Sequence, residues 1–213
     1  MSKVICVMGE SGSGKTTAMR TLPPEETVYI DCDKKGLSWK GWREEYNLEN
    51  KNYLASDDSN KIMKMLLKVS EQRPEIKYVI IDTINGIMVG DEMRRSKEKG
   101  FDKWVDLAQC IWDLVDIAPT LREDLTIIFT AHTQTERDES GYMFTRIKTN
   151  GKKLDKICVE SKFTTVLYAK ANNGKYVFET HAKNSTAKTP MGAFEQDEID
   201  NDIMAVIKAL EEY

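Results

Sequence analysis

Residues 9–17 read Gly-Glu-Ser-Gly-Ser-Gly-Lys-Thr-Thr, which fits the pattern G-x-x-x-x-G-K-[ST] with Gly9, Gly14, Lys15 and Thr16 at the fixed positions. These residue types answer one physical demand. A polyphosphate is densely anionic, so the chain must curl around it and turn backbone N–H groups inward. Glycine permits both the curl and the close approach. Gly9, Glu10, Ser11, Gly12, Ser13, Gly14, Lys15, Thr16 and Thr17 are therefore read as the lining of a nucleoside-triphosphate cradle. Lys15 is expected to reach the β- and γ-phosphates, and the Thr16 hydroxyl to ligate Mg²⁺.

Three further positions carry chemistry that such a cradle needs. In open parallel sheets the working side chains lie beyond the carboxyl ends of the strands. Asp82 ends Tyr-Val-Ile-Ile-Asp and is placed to hold Mg²⁺, directly or through water. Asp31 and Asp33 end Tyr-Ile-Asp-Cys-Asp; two residues apart, they share a strand face. Asp33 is read as the group that orients the attacking water. His132 follows Ile-Ile-Phe-Thr-Ala and is read as a sensor of the terminal phosphate.

The elements that must position these groups follow from hydrophobic pattern. Residues 3–8 form a short apolar run before the glycine loop, and 16–22 can open a helix that Pro23-Pro24 must end. Strands are expected at 27–31, 77–82 and 125–131. Ser59 is expected to cap a helix carrying Ile62, Leu66 and Val69, and a longer helix carries Trp104, Leu107, Ala108, Ile111, Leu114 and Val115 as core. Residues 163–170 and 176–182 read as a hairpin turned at Asn172-Asn173-Gly174. Ile199, Ile203, Val206, Ile207 and Leu210 stripe a last helix over about 198–212. The expectation is a single α/β domain over residues 1–213, its mostly parallel sheet flanked by helices and edged by one antiparallel hairpin.

Composition narrows the class. A formal charge of −4 provides no global field for nucleic acid, so any such contact must come from a local patch. Cys6, Cys32, Cys110 and Cys158 are scattered, which argues against a zinc site or a disulfide framework. The chain enters its first strand at once, with no room for a leader, and has no apolar run of membrane-spanning length. A cytoplasmic protein without a membrane partner is expected.

The four motifs, taken in order, resemble those of the RecA-like ATPases, and most closely the short, core-only bacteriophage type that acts in single-strand annealing or recombination. The resemblance spans residues 3–194. It implies ATP and Mg²⁺ as cofactors, single-stranded DNA and a homo-oligomer (ring or filament) as partners, and possible contact with a phage single-strand-binding protein. Asp33 falls where that family keeps a glutamate, one methylene longer. The segments after Asp82 and after His132 correspond to its DNA-facing loops.

The second of these segments, residues 142–153, has Tyr142 and Phe144 among Arg146, Lys148, Lys152 and Lys153, with no acidic residue. Cations for phosphates and aromatic faces for bases are what single strands require. The first segment mixes Arg94, Arg95, Lys97, Lys99 and Lys103 with Asp91, Glu92, Glu98 and Asp102 and carries no clear sign. The resemblance also implies that Lys183, or less directly Lys188, reaches a neighbouring subunit's γ-phosphate. Two rival readings stand beside this one: a small-molecule kinase, whose lid the basic loop could imitate, and a nucleotide-gated replication adaptor with little turnover.

Overall fold

The computed structural model describes residues 1–100, 102–149, 158–172 and 174–211. Among these, nine strands form one sheet in the order β3-β2-β4-β5-β1-β7-β8-β9, with β6 paired on β5. The strands are β1 (Lys3–Gly9), β2 (Thr27–Asp31), β3 (Tyr53–Ala55), β4 (Tyr78–Asp82), β5 (Thr126–Arg137), β6 (Met143–Ile147), β7 (Thr165–Asn172), β8 (Lys175–Glu179) and β9 (Glu198–Asp200). From β3 to β7 every neighbouring pair is parallel. The β7–β8, β8–β9 and β5–β6 pairs are antiparallel.

Period-two alternation splits each central strand between two cores. Cys6 and Met8 of β1, with Val79 and Ile81 of β4, face the helices α3 (Ser59–Gln72), α4 (Ile84–Arg94) and α5 (Asp102–Ile117). Ile5, Val7, Tyr29, Ile80 and Ile128 face the opposite side. There α1 (Lys15–Ala18) and α6 (Ile203–Glu211) pack with the aromatic residues Trp39, Tyr46 and Tyr53. A further short helix, α2 (Trp42–Glu45), lies in the connection between β2 and β3. No helix is long and apolar enough to cross a membrane among the described residues.

The expected strands appear in place, and several boundaries differ for local reasons. Asp58, not Ser59, caps α3: its carboxylate accepts from the N–H groups of Asn60 and Lys61 at 3.0 and 3.3 Å. An ionised acceptor outcompetes a hydroxyl there. The last helix begins at Ile203, because Glu198–Asp200 pairs with β8 as an edge strand and Asp202 accepts from the N–H of Met204 at 2.9 Å. The helix after the glycine loop is α1 followed by a 3₁₀ turn over Met19–Thr21. Trp104 and Trp112 are only half-buried, with the ammonium groups of Lys103 and Lys162 over their rings.

Candidate nucleotide site

The loop leaving β1 has the backbone geometry a phosphate cradle requires. Gly12 and Gly14 take φ of 78° and 93°, a region costly for other residues. A Cβ on Gly9 would stand 2.4 Å from Ser13 Oγ, so Gly9 is also needed for close approach. Ser11 and Gly12 are exposed at the rim. The Ser13 hydroxyl is buried and has no hydrogen-bond partner among the described residues, an orphan that a phosphate oxygen would satisfy.

Lys15 is buried and curls back over its own loop, donating to the carbonyls of Gly9 at 2.7 Å and Glu10 at 2.8 Å. Its pKa is lowered to about 8, chiefly by burial, against the opposing pull of Asp82. The Glu10 carboxylate accepts from Thr133 Oγ1 at 2.8 Å, tying the loop to β5. Thr17 is bound to Ser38 through their hydroxyls at 2.8 Å, which joins α1 to the segment after β2.

Asp82 sits opposite Thr16. The Thr16 hydroxyl donates to Asp82 Oδ2 at 2.8 Å, so the two side chains expected to share a cation are in contact. The carboxylate is buried and takes two more donors: Tyr29 OH to Oδ2 at 2.5 Å and Thr130 Oγ1 to Oδ1 at 2.5 Å. Strand register explains the convergence. Ile80, Tyr29 and Ile128 lie on the face toward α1, and Asp82 and Thr130 fall two residues further along on that same face. Tyr29 and Thr130 lie on strands other than that of Asp82, and only the inter-strand register brings them to it.

A hydroxyl beside a carboxylate is a hard oxygen donor set that suits Mg²⁺ shared with phosphates. Among the described residues no cluster of three His, Cys, Asp or Glu could cage a metal alone. When bound, Mg²⁺ would supply neutralisation of the phosphate charge. Thr16 and Asp82 are the residues placed to hold it.

The two carboxylates of Asp-Cys-Asp do not share a role. Asp31 is interior and structural: its Oδ2 accepts from the N–H of Gly36 at 2.8 Å and from Tyr53 OH at 2.7 Å. Asp33 lies past the strand end, where Oδ1 accepts from Thr83 Oγ1 at 3.2 Å and Oδ2 pairs with Lys35 Nζ at 2.6 Å. Lys35 lies outside the sequence motifs. Burial works against its charge, but the Asp33 hydrogen bond and the charges of Asp82, Asp33 and Asp31 outweigh it, and the pKa is raised.

His132 stands at the carboxyl end of the parallel part of β5, between the strands of Gly9 and Asp82. Its pKa is lowered by burial and then by Lys15, so the ring is neutral near pH 7 and has one N–H to donate. Its backbone N–H donates to Asn85 Oδ1 at 2.7 Å, and Asn85 Nδ2 donates to the carbonyl of Lys148 at 2.8 Å. The N–H of Lys148 closes the ring by donating to the carbonyl of His132 at 2.7 Å.

The segment expected as a loop over 142–153 begins as strand β6, paired with the far half of β5. Tyr142 and Lys148 are exposed, and Phe144 is half-buried. Tyr142 OH donates to the carbonyl of Lys183 at 2.8 Å and to Asn184 Oδ1 at 2.9 Å. Arg146 turns inward, its guanidinium 3.7 Å from the buried carboxylate of Glu160 and 3.5 Å from Glu136. Lys152 and Lys153 lie outside the described residues. Lys183 is exposed and its ammonium lies 3.3 Å from Asp197. Lys188 is exposed, with its backbone bridged to Val166. In the other segment both arginines are engaged: Arg94 pairs with Asp57 and Asp91, and Arg95 with Asp91, Glu98 and Asp106.

The sheet, the glycine loop and the Thr16–Asp82 pair define a P-loop nucleoside-triphosphatase core. The family described as an AAA domain matches residues 1–191, and the chain belongs to that family. The family carries nucleotide-hydrolysing ATPase activity in general. No curated protein matches the chain.

Proposed function

We propose that the protein is a Mg²⁺-dependent ATPase that binds single-stranded DNA and acts in annealing or recombination of the bacteriophage type. The observation that carries this reading is the Asn85 bridge. One side chain holds both His132, at the phosphate end of β5, and Lys148, where β6 runs into the basic segment. A shift of His132 on meeting a terminal phosphate would be transmitted to that segment through two hydrogen bonds.

In the chemical step, Lys15 leaves its own carbonyls for the β- and γ-phosphates, Thr16 and Asp82 fix the cation, and Asp33 accepts a hydrogen bond from the attacking water. His132 donates its N–H to the terminal phosphate. Lys183, exposed on the edge beyond β8, is the cation offered to a neighbouring copy in a ring or filament. A single-strand-binding protein of the same phage is the protein partner this reading suggests. The kinase alternative is weakened by Arg146. The arginine that a lid would need is engaged with Glu160 inside the fold.

The deciding measurement is ATP hydrolysis with and without single-stranded DNA. Stimulation by oligo-dT supports the reading. Turnover that responds only to a small acceptor replaces it with the kinase, and binding of ATP with negligible turnover under either condition replaces it with the adaptor.

A further inference from the structure

Lys35 is a second ammonium on the nucleotide side of the sheet, and its position is built rather than accidental. Beyond β2 the chain reverses sharply: Lys34 takes φ of 56° and Gly36 φ of 80°. The Gly36 N–H is pinned to the buried Asp31 carboxylate at 2.8 Å. A non-glycine residue in the left-handed region costs conformational energy, so the surroundings hold this turn in place. The turn sets Lys35 Nζ 2.6 Å from Asp33 Oδ2.

The pair sits against the start of α4. Asp33 Oδ1 accepts from Thr83, the residue after Asp82, and a Cβ on Gly86 would stand 2.5 Å from that same oxygen. Gly86 is thus required for Asp33 to lie so close. Lys35 is half-exposed, so as a mere surface ion pair this contact would contribute little to stability. Its partner, however, is the carboxylate that the hydrolytic reading needs unencumbered, because a carboxylate whose Oδ2 is held by an ammonium is a poor acceptor for water.

Resting on the ATPase reading, we propose that Lys35 is a γ-phosphate-binding residue of its own subunit, whose ammonium passes from Asp33 to the terminal phosphate of a bound triphosphate. The transfer does two things at once. It places a positive charge where negative charge is stabilised in the transition state. It also frees Asp33 Oδ2 to orient water. The water oxygen then forms the bond to the γ-phosphorus, and the bridging P–O bond breaks with its electron pair remaining on ADP. The water proton passes by way of Asp33 to the inorganic phosphate released. A diphosphate has no group at that position, so Lys35 discriminates between the two nucleotides.

The test compares ATPγS and ADP affinities, with Mg²⁺, for the parent protein, Lys35→Ala, Lys35→Arg and Asp33→Asn. Lys35→Ala should weaken ATPγS about tenfold and leave ADP within about twofold. Lys35→Arg should restore most of the preference for the triphosphate. Asp33→Asn removes the competing carboxylate, so ATPγS should bind more tightly while single-turnover hydrolysis slows. Retained ADP binding certifies that each variant is folded. The proposal is overturned if Lys35→Ala keeps the parent's preference for ATPγS, or if ATPγS and ADP lose affinity together. If the parent binds neither nucleotide, the ATPase reading falls and takes this proposal with it.

Discussion

Asn85 accepts the backbone N–H of His132 at 2.7 Å and is itself buried at the start of α4. Its other amide atom holds Lys148, so one side chain spans the phosphate end of β5 and the strand that leads into the basic segment. Removing it leaves a part-buried N–H and a carbonyl without their partners, a cost of about 1 kcal/mol. Asn85→Ala should therefore keep nucleotide binding but lose stimulation of turnover by oligo-dT. Parallel measurements of ATPγS affinity and of hydrolysis with and without oligo-dT check this. Full stimulation in the variant would mean that coupling runs elsewhere.

Which parts of this arrangement the sequence displayed follows from how local each signal is. The glycine loop and the strand ending in Asp82 are contiguous signals, and both stand where the pattern places them. Tyr29 and Thr130 come from different strands, and their meeting at Asp82 depends on register, which no single segment reveals. The same holds for Arg146: a cation among aromatics reads as a nucleic-acid contact until Glu160, 14 residues away, is seen beneath it. Lys35 carries no signal of its own in the sequence, where a lysine beside an aspartate in a polar turn looks like solvated charge. Only the left-handed turn and the pinned Gly36 show otherwise.

The three donors on Asp82 make a graded prediction. Asp82→Asn removes the negative charge from the cation site and should abolish Mg²⁺-dependent hydrolysis. Tyr29→Phe removes one donor to Oδ2 while Thr16 still holds it, leaving the carboxylate in place but less constrained. Burial and the neighbouring Asp82 charge keep the Tyr29 hydroxyl protonated, so it acts as a donor throughout the working pH range. The expected result for Tyr29→Phe is a several-fold rise in the Mg²⁺ concentration for half-maximal turnover, with ADP affinity in the absence of Mg²⁺ little changed. A metal titration of turnover at fixed ATP reads it directly.

The lowered pKa of Lys15 has a pH signature of defined sign. Its folded value, about 8, lies below the ordinary 10.5, so the charged lysine costs the fold stability. That cost is full below about pH 8 and shrinks as pH rises from about 8 to 10.5, where the unfolded chain binds more protons. A bound triphosphate acts in the opposite sense by favouring the ammonium. ATPγS affinity should be flat below about pH 7.5 and fall above about pH 8, by at most about tenfold per pH unit. Calorimetry at pH 8.5 in two buffers of different ionisation enthalpy should also register proton uptake on binding. An affinity that holds constant to pH 9.5 would contradict the burial-driven shift.

Arg146 and Lys148 stand two residues apart and should behave as different kinds of residue. Arg146 lies over the interior carboxylate of Glu160, which also accepts from the N–H of Ile147 at 2.7 Å. Truncating one partner of a buried ion pair leaves the other charge uncompensated, at a cost of about 3–5 kcal/mol. Arg146→Ala should accordingly lower the melting temperature by many degrees, whether or not DNA is present. Lys148 is exposed, and its backbone alone serves the Asn85 bridge. Lys148→Ala should leave stability within about 0.5 kcal/mol, because a surface change touches no buried partner. It should weaken oligo-dT binding and reduce the slope of log K against log salt by about 0.7, the loss of one phosphate contact on a single strand. Thermal melts and oligo-dT titrations at several salt concentrations on both variants separate the roles. A stable Arg146→Ala with a reduced salt slope would show that the guanidinium faces phosphate after all, and that Glu160 is satisfied by other donors.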